Sequence, residues 1–359
     1  MQILIDATPL LLRSAGVKNY TYYWIQSLWE QAGNDRISTL PALARLGPLN
    51  HEDSIAGRAR TFLHLGRVFA ANRAPALPVL RWGMPAADVF HVSNQIRHPP
   101  KRLKLTATIY DMTTRLMPEL HTAANIQADE NVVRNVFARA SRLIAISENS
   151  RQDAARLAGL DADRIDVIYP GVPEVYFGAQ ARPSERPYVL YVGAIEPRKN
   201  VDTLLDAWVN FRFRGDFDLI IAGASGWAGE KTLTRLVGKP KGVRYLGYVP
   251  EDELPGLTAG ASAFVYPSLY EGFGFPVAQA MAAGVPVITS NTSCLPEVAG
   301  GSALLVDPRS AAEIQSAMEK LLTSPELRQE LGAAGIARAR REFRWNVCAR
   351  KSLDFFHRA

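Results

Sequence analysis

Short apolar runs recur along this chain, each separated from the next by a stretch long enough for a helix. In the second half they cover residues 189–192, 219–222, 243–246, 264–266, 285–289 and 303–306. In the first half they cover 3–5, 89–92, 105–110 and 143–146. Short, mostly apolar runs of this kind are what strands buried on both faces present. Between them the spacing turns helical. Val201, Leu204, Leu205 and Trp208 share one helix face, as do Ile314, Ala317 and Leu321. Strand–helix alternation of this kind predicts a parallel sheet covered on both sides, twice over: two doubly wound α/β domains. Ligands of such domains bind beyond the carboxyl ends of the strands.

The predicted borders follow composition. Residues 1–175 form the first domain. Residues 176–187, with Gly178, Pro183 and Pro187 among polar residues, read as a linker. Residues 188–341 form the second domain. Residues 342–359 carry Phe343, Trp345, Ala349, Leu353 and Phe356 at helical spacing. The composition, 47% hydrophobic and 21% charged, is that of an ordinary globular protein rather than a disordered one. No apolar run approaches the length of a membrane span. The chain opens directly on a strand pattern with no signal-peptide pattern. Cys294 and Cys348, the only cysteines, make neither a disulfide framework nor a metal spacing, so a reduced cytoplasmic setting is expected.

Residues 264–300, FVYPSLYEGFGFPVAQAMAAGVPVITSNTSCLPEVAG, carry the most chemistry. A strand opens into a loop with Glu271, Gly272, Phe273 and Gly274. Pro276 starts an Ala-rich helix, Gly284 ends it, and a second strand follows. Glycines between a strand and a helix start let a ligand approach the backbone, whose N–H groups attract phosphate. Glu271 would repel phosphate and suits hydroxyl groups instead. Phosphate beside hydroxyls suggests a nucleotide-sugar.

This string resembles the donor-site signature of the retaining glycosyltransferases of family four, which have the GT-B fold. The resemblance implies two Rossmann-like domains facing each other across a cleft, with the C-terminal helix returning to the N-terminal, acceptor-binding domain. Trp345 and Phe356 would be its packing anchors. Within the family, the mannosyltransferases of bacterial polysaccharide assembly are most similar, which implies GDP-mannose as donor and a saccharide or lipid-linked saccharide as acceptor. The segment Gly193-Ala194-Ile195-Glu196-Pro197-Arg198-Lys199-Asn200 looks like the family motif whose basic residues bind the donor diphosphate. That role falls on Lys199 and Arg198, with Gly193 at the strand end. Some members carry Arg where this chain has Ala194.

Other carry-overs are shorter. Tyr248 and Val249 match residues near the nucleobase. The loop 290–297 matches one that supports the donor pocket. Asp6-Ala7-Thr8-Pro9 and Ala15-Gly16-Val17-Lys18-Asn19 resemble the glycine loop over the phosphates, with Gly16 as its donor contact. His91 and Asp111, near strand ends of the first domain, are candidates to orient the acceptor hydroxyl. Asp111 could equally cap the next turn. Tyr110 stands where many members have His. Gln279 stands where the family has a second Glu, eight residues after Glu271, holding the ribose diol. Gln offers a diol one acceptor and one donor pair without charge, a loss of roughly 1 kcal/mol.

The resemblance implies no metal and no cofactor beyond the donor. Two other readings remain: a catalytically silent nucleotide-sugar-binding protein, and a GT-B-fold epimerase. Charge adds one partner. Residues 36–104 hold eleven cations against three acids (Glu52, Asp53 and Asp88), a surplus of eight where the whole chain carries +6. Apolar residues interleave, as at Phe62, Leu63, Leu65, Leu77, Leu80 and Trp82. A basic, partly apolar surface fits peripheral attachment to an anionic membrane. No nucleic-acid module is present.

Overall fold

The computed structural model describes residues 1–13, 16–51, 53–238 and 240–359. Ala15 of the expected glycine loop and Glu52 of the basic region lie outside these. The chain divides into two compact units, Met1–Gly171 with Trp345–Ala359, and Val172–Arg344.

The first unit is built on six parallel strands, β1 (Gln2–Asp6), β2 (Arg36–Leu40), β3 (Val89–Val92), β4 (Lys104–Ile109), β5 (Arg142–Ala145) and β6 (Ile165–Val167). Their order is β2-β1-β3-β4-β5-β6. β3 and β5 follow the expected apolar runs, whereas β2 and β6, with the sequences RISTL and IDV, had no apolar run to announce them. Both are edge strands. The helix Trp345–Arg358 belongs to this unit and packs along the helix Gly16–Gln31. Trp24 Nε1 donates to Ser352 Oγ at 2.9 Å, and Tyr20 meets Trp345 edge-on at 5.6 Å between centroids. Phe356 packs on Trp24 at 6.0 Å. The anchoring roles expected of Trp345 and Phe356 are those observed. Phe343 instead stays with the second unit, edge-on to Phe273 at 5.3 Å.

The second unit has six parallel strands, β7 (Tyr188–Val192), β8 (Asp218–Ala222), β9 (Val243–Gly247), β10 (Ala263–Tyr266), β11 (Val287–Ser290) and β12 (Ala303–Val306). All six were legible as apolar runs. Their order, β12-β11-β10-β7-β8-β9, grows outward in both directions from the β7–β10 pair. That pair is the topological switch point. Connections leave β7 and β10 for opposite halves of the sheet, so a crevice opens above their carboxyl ends. The register Phe264↔Leu190 fixes the two strand ends side by side. The first sheet reverses in the same way between β1 and β3. Among the described residues, no helix is long and apolar enough to cross a membrane.

Candidate active site

The turn after β7 and the loop after β10 meet across the second unit's switch point. Lys199 and Arg198 come from the first, and Glu271 from the second. The Glu271 side chain is only 9% exposed, yet it is surrounded by donors. Its Oε1 accepts from Lys199 Nζ at 2.6 Å, Ser268 Oγ at 2.7 Å and Tyr266 Oη at 2.9 Å. Arg198 Nη1 lies 3.1 Å from Oε2. Burial alone would raise the carboxyl pKa, but the charges of Lys199 and Arg198 overcome it and hold it at about 2. The Tyr266 phenol is pushed well up by burial and by the Glu271 charge. It stays protonated and can donate.

Backbone bonds knit the two loops together. Leu269 N donates to the Arg198 carbonyl at 2.9 Å, and Arg198 Nη1 donates to the Tyr270 carbonyl at 2.6 Å. Asn200, in a left-handed conformation at φ 60°, reaches the Pro267 and Pro308 carbonyls at 2.9 and 2.6 Å. Arg198 is also held by Glu196 at 2.7 Å. The cations therefore sit in a preset frame, and no side chain must be ordered when an anion arrives. Ser293 brackets the Glu271 peptide: its Oγ accepts from Glu271 N at 3.0 Å and donates to Glu271 O at 2.7 Å. The loop 290–297 thus supports the site from behind.

Gly272 and Phe273 are buried beside this cluster, and Gly274 starts the helix Phe275–Ala282 at φ 85°. A side chain there would be strained in conformation and would meet Leu295 at 2.6 Å. The turn has to be glycine for the backbone to swing from loop to helix. Gln279 lies on that helix, half-buried, little more than one turn along. Gly193 directly follows β7, its N–H bonded to the Ala222 carbonyl at 2.9 Å.

The other expected residues lie elsewhere in the second unit or belong to the first. Tyr248 and Val249 follow β9 and line a groove of about 500 Å³ with Arg182, Tyr188, Arg244 and Leu246. No member of the Glu271 cluster lines that groove. Gly16 begins its helix with open space around it. Asp111 Oδ1 accepts from Thr113 N at 3.0 Å and Thr113 Oγ1 at 2.7 Å, an Asx-type turn just ahead of the short helix Thr113–Leu116, whose N-cap is Met112. Lys18 is fully buried, with Nζ on the Leu12 and Asp53 carbonyls at 2.8 and 2.6 Å, and so clamps two loops.

His91 requires a correction. It is the third residue of β3, 3% exposed, with its ring nitrogens 3.0 Å from the Thr106 and Thr108 hydroxyls. Trp24 and Phe356 pack on its ring at 4.8 and 5.6 Å. Burial pushes its pKa down to about 3, so it is a neutral core residue. It has neither exposure nor a remaining nitrogen with which to orient an acceptor.

Tyr266, Ser268 and Ser293 are the residues sequence reasoning did not assign individually to the Glu271 carboxylate or peptide. Tyr191 is another. Its ring stacks on Tyr266 at 5.6 Å, and its hydroxyl is buried with no hydrogen-bond partner among the described residues. An orphaned buried hydroxyl destabilises by about 1–3 kcal/mol. Tyr191→Phe is expected to raise unfolding stability by about 1 kcal/mol, read by denaturant melts. A clear loss of stability would show that the hydroxyl has a partner. Among the described residues, no group of three or more His, Cys, Asp or Glu side chains comes together as a metal site would.

Comparison with known proteins decides the family. The family model "Glycosyltransferase Family 4" matches residues 16–175, and "Glycosyl transferases group 1" matches residues 174–338. The O-antigen chain mannosyltransferase B of Escherichia coli is 34% identical over 273 residues, covering 72% of this chain and 71% of that one. The chain is a family 4 glycosyltransferase. As a member of that family it is a retaining hexosyltransferase. The serotype-specific mannosyltransferase WbdA of Escherichia coli is 28% identical over 241 residues, which span 62% of this glycosyltransferase but only 29% of WbdA. Among solved structures, the sucrose-phosphate synthase from Thermosynechococcus elongatus superposes with a TM-score of 0.74 at 19% identity, covering 100% of this chain and 98% of that one. The Anabaena protein HepE, solved with UDP and glucose, superposes with a TM-score of 0.73 at 17% identity and complete coverage of both chains. These likenesses establish the GT-B fold.

Proposed function

We propose that this glycosyltransferase moves a mannosyl group from GDP-mannose to a saccharide or lipid-linked saccharide in cell-surface polysaccharide synthesis. One observation carries the reading of the site. A buried carboxylate and two cations are locked together at the β7–β10 switch point, where an α/β sheet binds its ligand. The mannosyl assignment is supported by relatives that are themselves named mannosyltransferases.

The chemistry follows from charge. The bond from C1 of the sugar to the diphosphate breaks toward an oxocarbenium-like state, and negative charge grows on the departing oxygen. Lys199, Arg198 and the amides around Gly272 and Gly274 neutralise it in a preset array. A new bond from C1 to the acceptor oxygen forms on the same face. The acceptor proton passes to the departing phosphate oxygen, so the reaction has no need of His91 as a base. Asp111 remains the carboxylate proposed to orient the acceptor hydroxyl. Glu271 holds Lys199 through Oε1 and Arg198 through Oε2, and Oε2 also accepts from the sugar hydroxyls. Gly193 and Gly16 lie along the phosphates, Gln279 toward the ribose, and Tyr248 and Val249 toward the base. No metal or further cofactor takes part. The enzyme is cytoplasmic, where nucleotide-sugars are available.

A thermal-shift series with GDP-mannose, GDP, UDP-glucose and UDP tests the donor, since a ligand of the folded state stabilises by mass action. GDP-mannose at a hundred times its Kd contributes about 2.7 kcal/mol. A shift with the uridine compounds and none with the guanosine ones would overturn the base assignment. No shift with any sugar nucleotide at millimolar concentration would overturn the reading of the site.

A further inference from the structure

The helix Arg58–Arg73 turns two opposite faces to its surroundings. His64, Val68 and Ala71 are its buried residues. On the other side, Arg58, Phe62, Gly66, Phe69 and Arg73 follow one another at intervals of four and three, a single stripe along the helix. Phe62 is 77% exposed, and Leu63 and Phe69 are each 69% exposed. A soluble helix normally shows polar residues here.

The segment after the helix enlarges the patch. Arg67, on the helix flank, reaches back to it: Nε donates to the Val79 carbonyl at 3.2 Å, and Nη2 donates to the Leu80 carbonyl at 3.1 Å and to the Trp82 carbonyl. That fold-back holds Trp82, 69% exposed, and Leu77, 55% exposed, next to the helix. The charge is of one sign. Between residues 54 and 87 there are five arginines and no Asp or Glu. Arg58, Arg73 and Arg81 are exposed and form no ion pair among the described residues. Aromatic rings flanked by arginines that form no ion pair among the described residues, in a segment (54–87) without Asp or Glu, match one kind of partner: the headgroup region of an anionic bilayer. There the rings enter the interface and the guanidinium groups meet lipid phosphates.

The buried face leads to the first unit's own switch point. His64 Nε2 is 2.8 Å from Thr8 Oγ1. Thr8 in turn donates to Asp6 Oδ1 at 2.5 Å, and Asp6 Oδ2 accepts from Ser93 N at 3.2 Å and from Ser93 Oγ. Asp6 ends β1 and Ser93 follows β3, the two strands between which the sheet reverses. Asn72, on the same helix, exchanges bonds of 2.9 Å with the Gln95 carbonyl and the Arg97 N–H just beyond β3.

We infer that the outer face of the helix Arg58–Arg73, with Leu77 and Trp82, is a docking surface for an anionic lipid bilayer, and that His64, Thr8, Asp6 and Ser93 tie it to the crevice where β1 and β3 diverge. The surface specifies how a lipid-linked acceptor reaches that crevice: its lipid stays in the bilayer while its saccharide meets the strand ends of the first unit. The last step rests on the acceptor reading above; the docking itself does not, and is tested without donor or acceptor.

The full chain is sedimented with vesicles of pure phosphatidylcholine and with vesicles containing one-third phosphatidylglycerol. Partitioning is expected to be at least about tenfold stronger into the anionic vesicles and to weaken with salt. Phe62→Ser with Phe69→Ser is expected to weaken it about tenfold or more. Each of Arg58→Gln and Arg73→Gln is expected to weaken it about fivefold. All four positions are exposed, and unchanged melting of the variants confirms that the fold is intact. Emission from Trp82, isolated by comparison with Trp82→Phe, should shift to the blue only with anionic vesicles. Equal partitioning into both lipids, anionic binding untouched by the Phe62/Phe69 pair, or self-association that covers the patch and leaves no vesicle binding would each overturn the inference.

Discussion

Glu271→Gln is expected to lower kcat/KM by at least about a hundredfold and to weaken the second unit by on the order of 3 kcal/mol. Both effects have one origin. The glutamate is the anion on which Lys199 and Arg198 converge, at 2.6 and 3.1 Å. Glutamine keeps the shape, but its amide turns N–H groups toward two buried cations. Arg198 retains Glu196, whereas among the described residues Lys199 keeps only the Tyr266 oxygen, 2.8 Å away. Burial, and then the Arg198 charge, already lower the Lys199 pKa, and Glu271 is the first of the groups opposing them. Without it the lysine loses its proton more readily, and a neutral amine is a poor partner for a diphosphate. Removing one member of a buried pair is therefore worse than the pair's net contribution suggests.

An acid titration checks the stability half. The Glu271 carboxyl ionises at about 2 in the folded chain against an ordinary 4.5. A depressed carboxyl stabilises fully above its unfolded value and loses that contribution as pH falls through the folded value. The difference between wild type and Glu271→Gln should be constant above about pH 5 and shrink between 4.5 and 2. The shift corresponds to on the order of 3 kcal/mol, which agrees with the mutational expectation. Calorimetry is the suitable readout, because two units can melt in two transitions. A difference that stays constant down to pH 2 would falsify the ion-pair account.

How much of this was legible in the sequence depends on burial. In the second unit short apolar runs mark all six strands, although the edge strand β9 carries Arg244 and is the weakest of them. In the first unit the strands without such a run are β2 and β6, the two edges of the sheet. An edge strand is paired on one side only, so Arg36, Ser38 and Asp166 are tolerated and the pattern fades. At the site, Glu271, Gly274, Lys199 and Arg198 could be read from residue type and position after a strand. Tyr266 and Ser268 could not. A tyrosine ending a buried strand looks like core, and only the neighbouring loop turns its hydroxyl into a carboxylate donor. His91 failed for the opposite reason. A polar residue close to a strand end looks like a site residue, but all four residues of β3 are buried, and the threonines of β4 satisfy the imidazole inside the sheet. Parallel sheets with both faces covered accept such internal pairs.

Gly223→Ala is expected to destabilise the second unit by about 3 kcal/mol or more and to weaken donor binding with it. Nothing in the apolar pattern marks this residue, which simply follows β8. In the structure its φ is 152°, and a methyl group on it would stand 1.9 Å from the Gly193 carbonyl oxygen and 2.6 Å from the carbonyl carbon. The obstacle is backbone, which cannot swing aside as a flexible side chain could. β7 and β8 are adjacent, and their chains leave the sheet so close together that Gly223 has no room for a side chain; at Gly193 the nearest obstacle is instead the Tyr191 hydroxyl, 2.9 Å from an added Cβ. Gly223 N is held by the Gly247 carbonyl at 2.7 Å, and its own carbonyl accepts from Tyr245 Oη at 2.9 Å, so that side is fixed. The strain passes to Gly193 and the turn that carries Arg198 and Lys199. Gly215→Ala is the matched control, since a methyl group there meets nothing within 4 Å and the backbone is ordinary. It should leave stability within about 0.5 kcal/mol of wild type or slightly higher. If Gly223→Ala melts like that control and binds donor normally, the two turns do not touch, and the frame around the cations is looser than the structure describes.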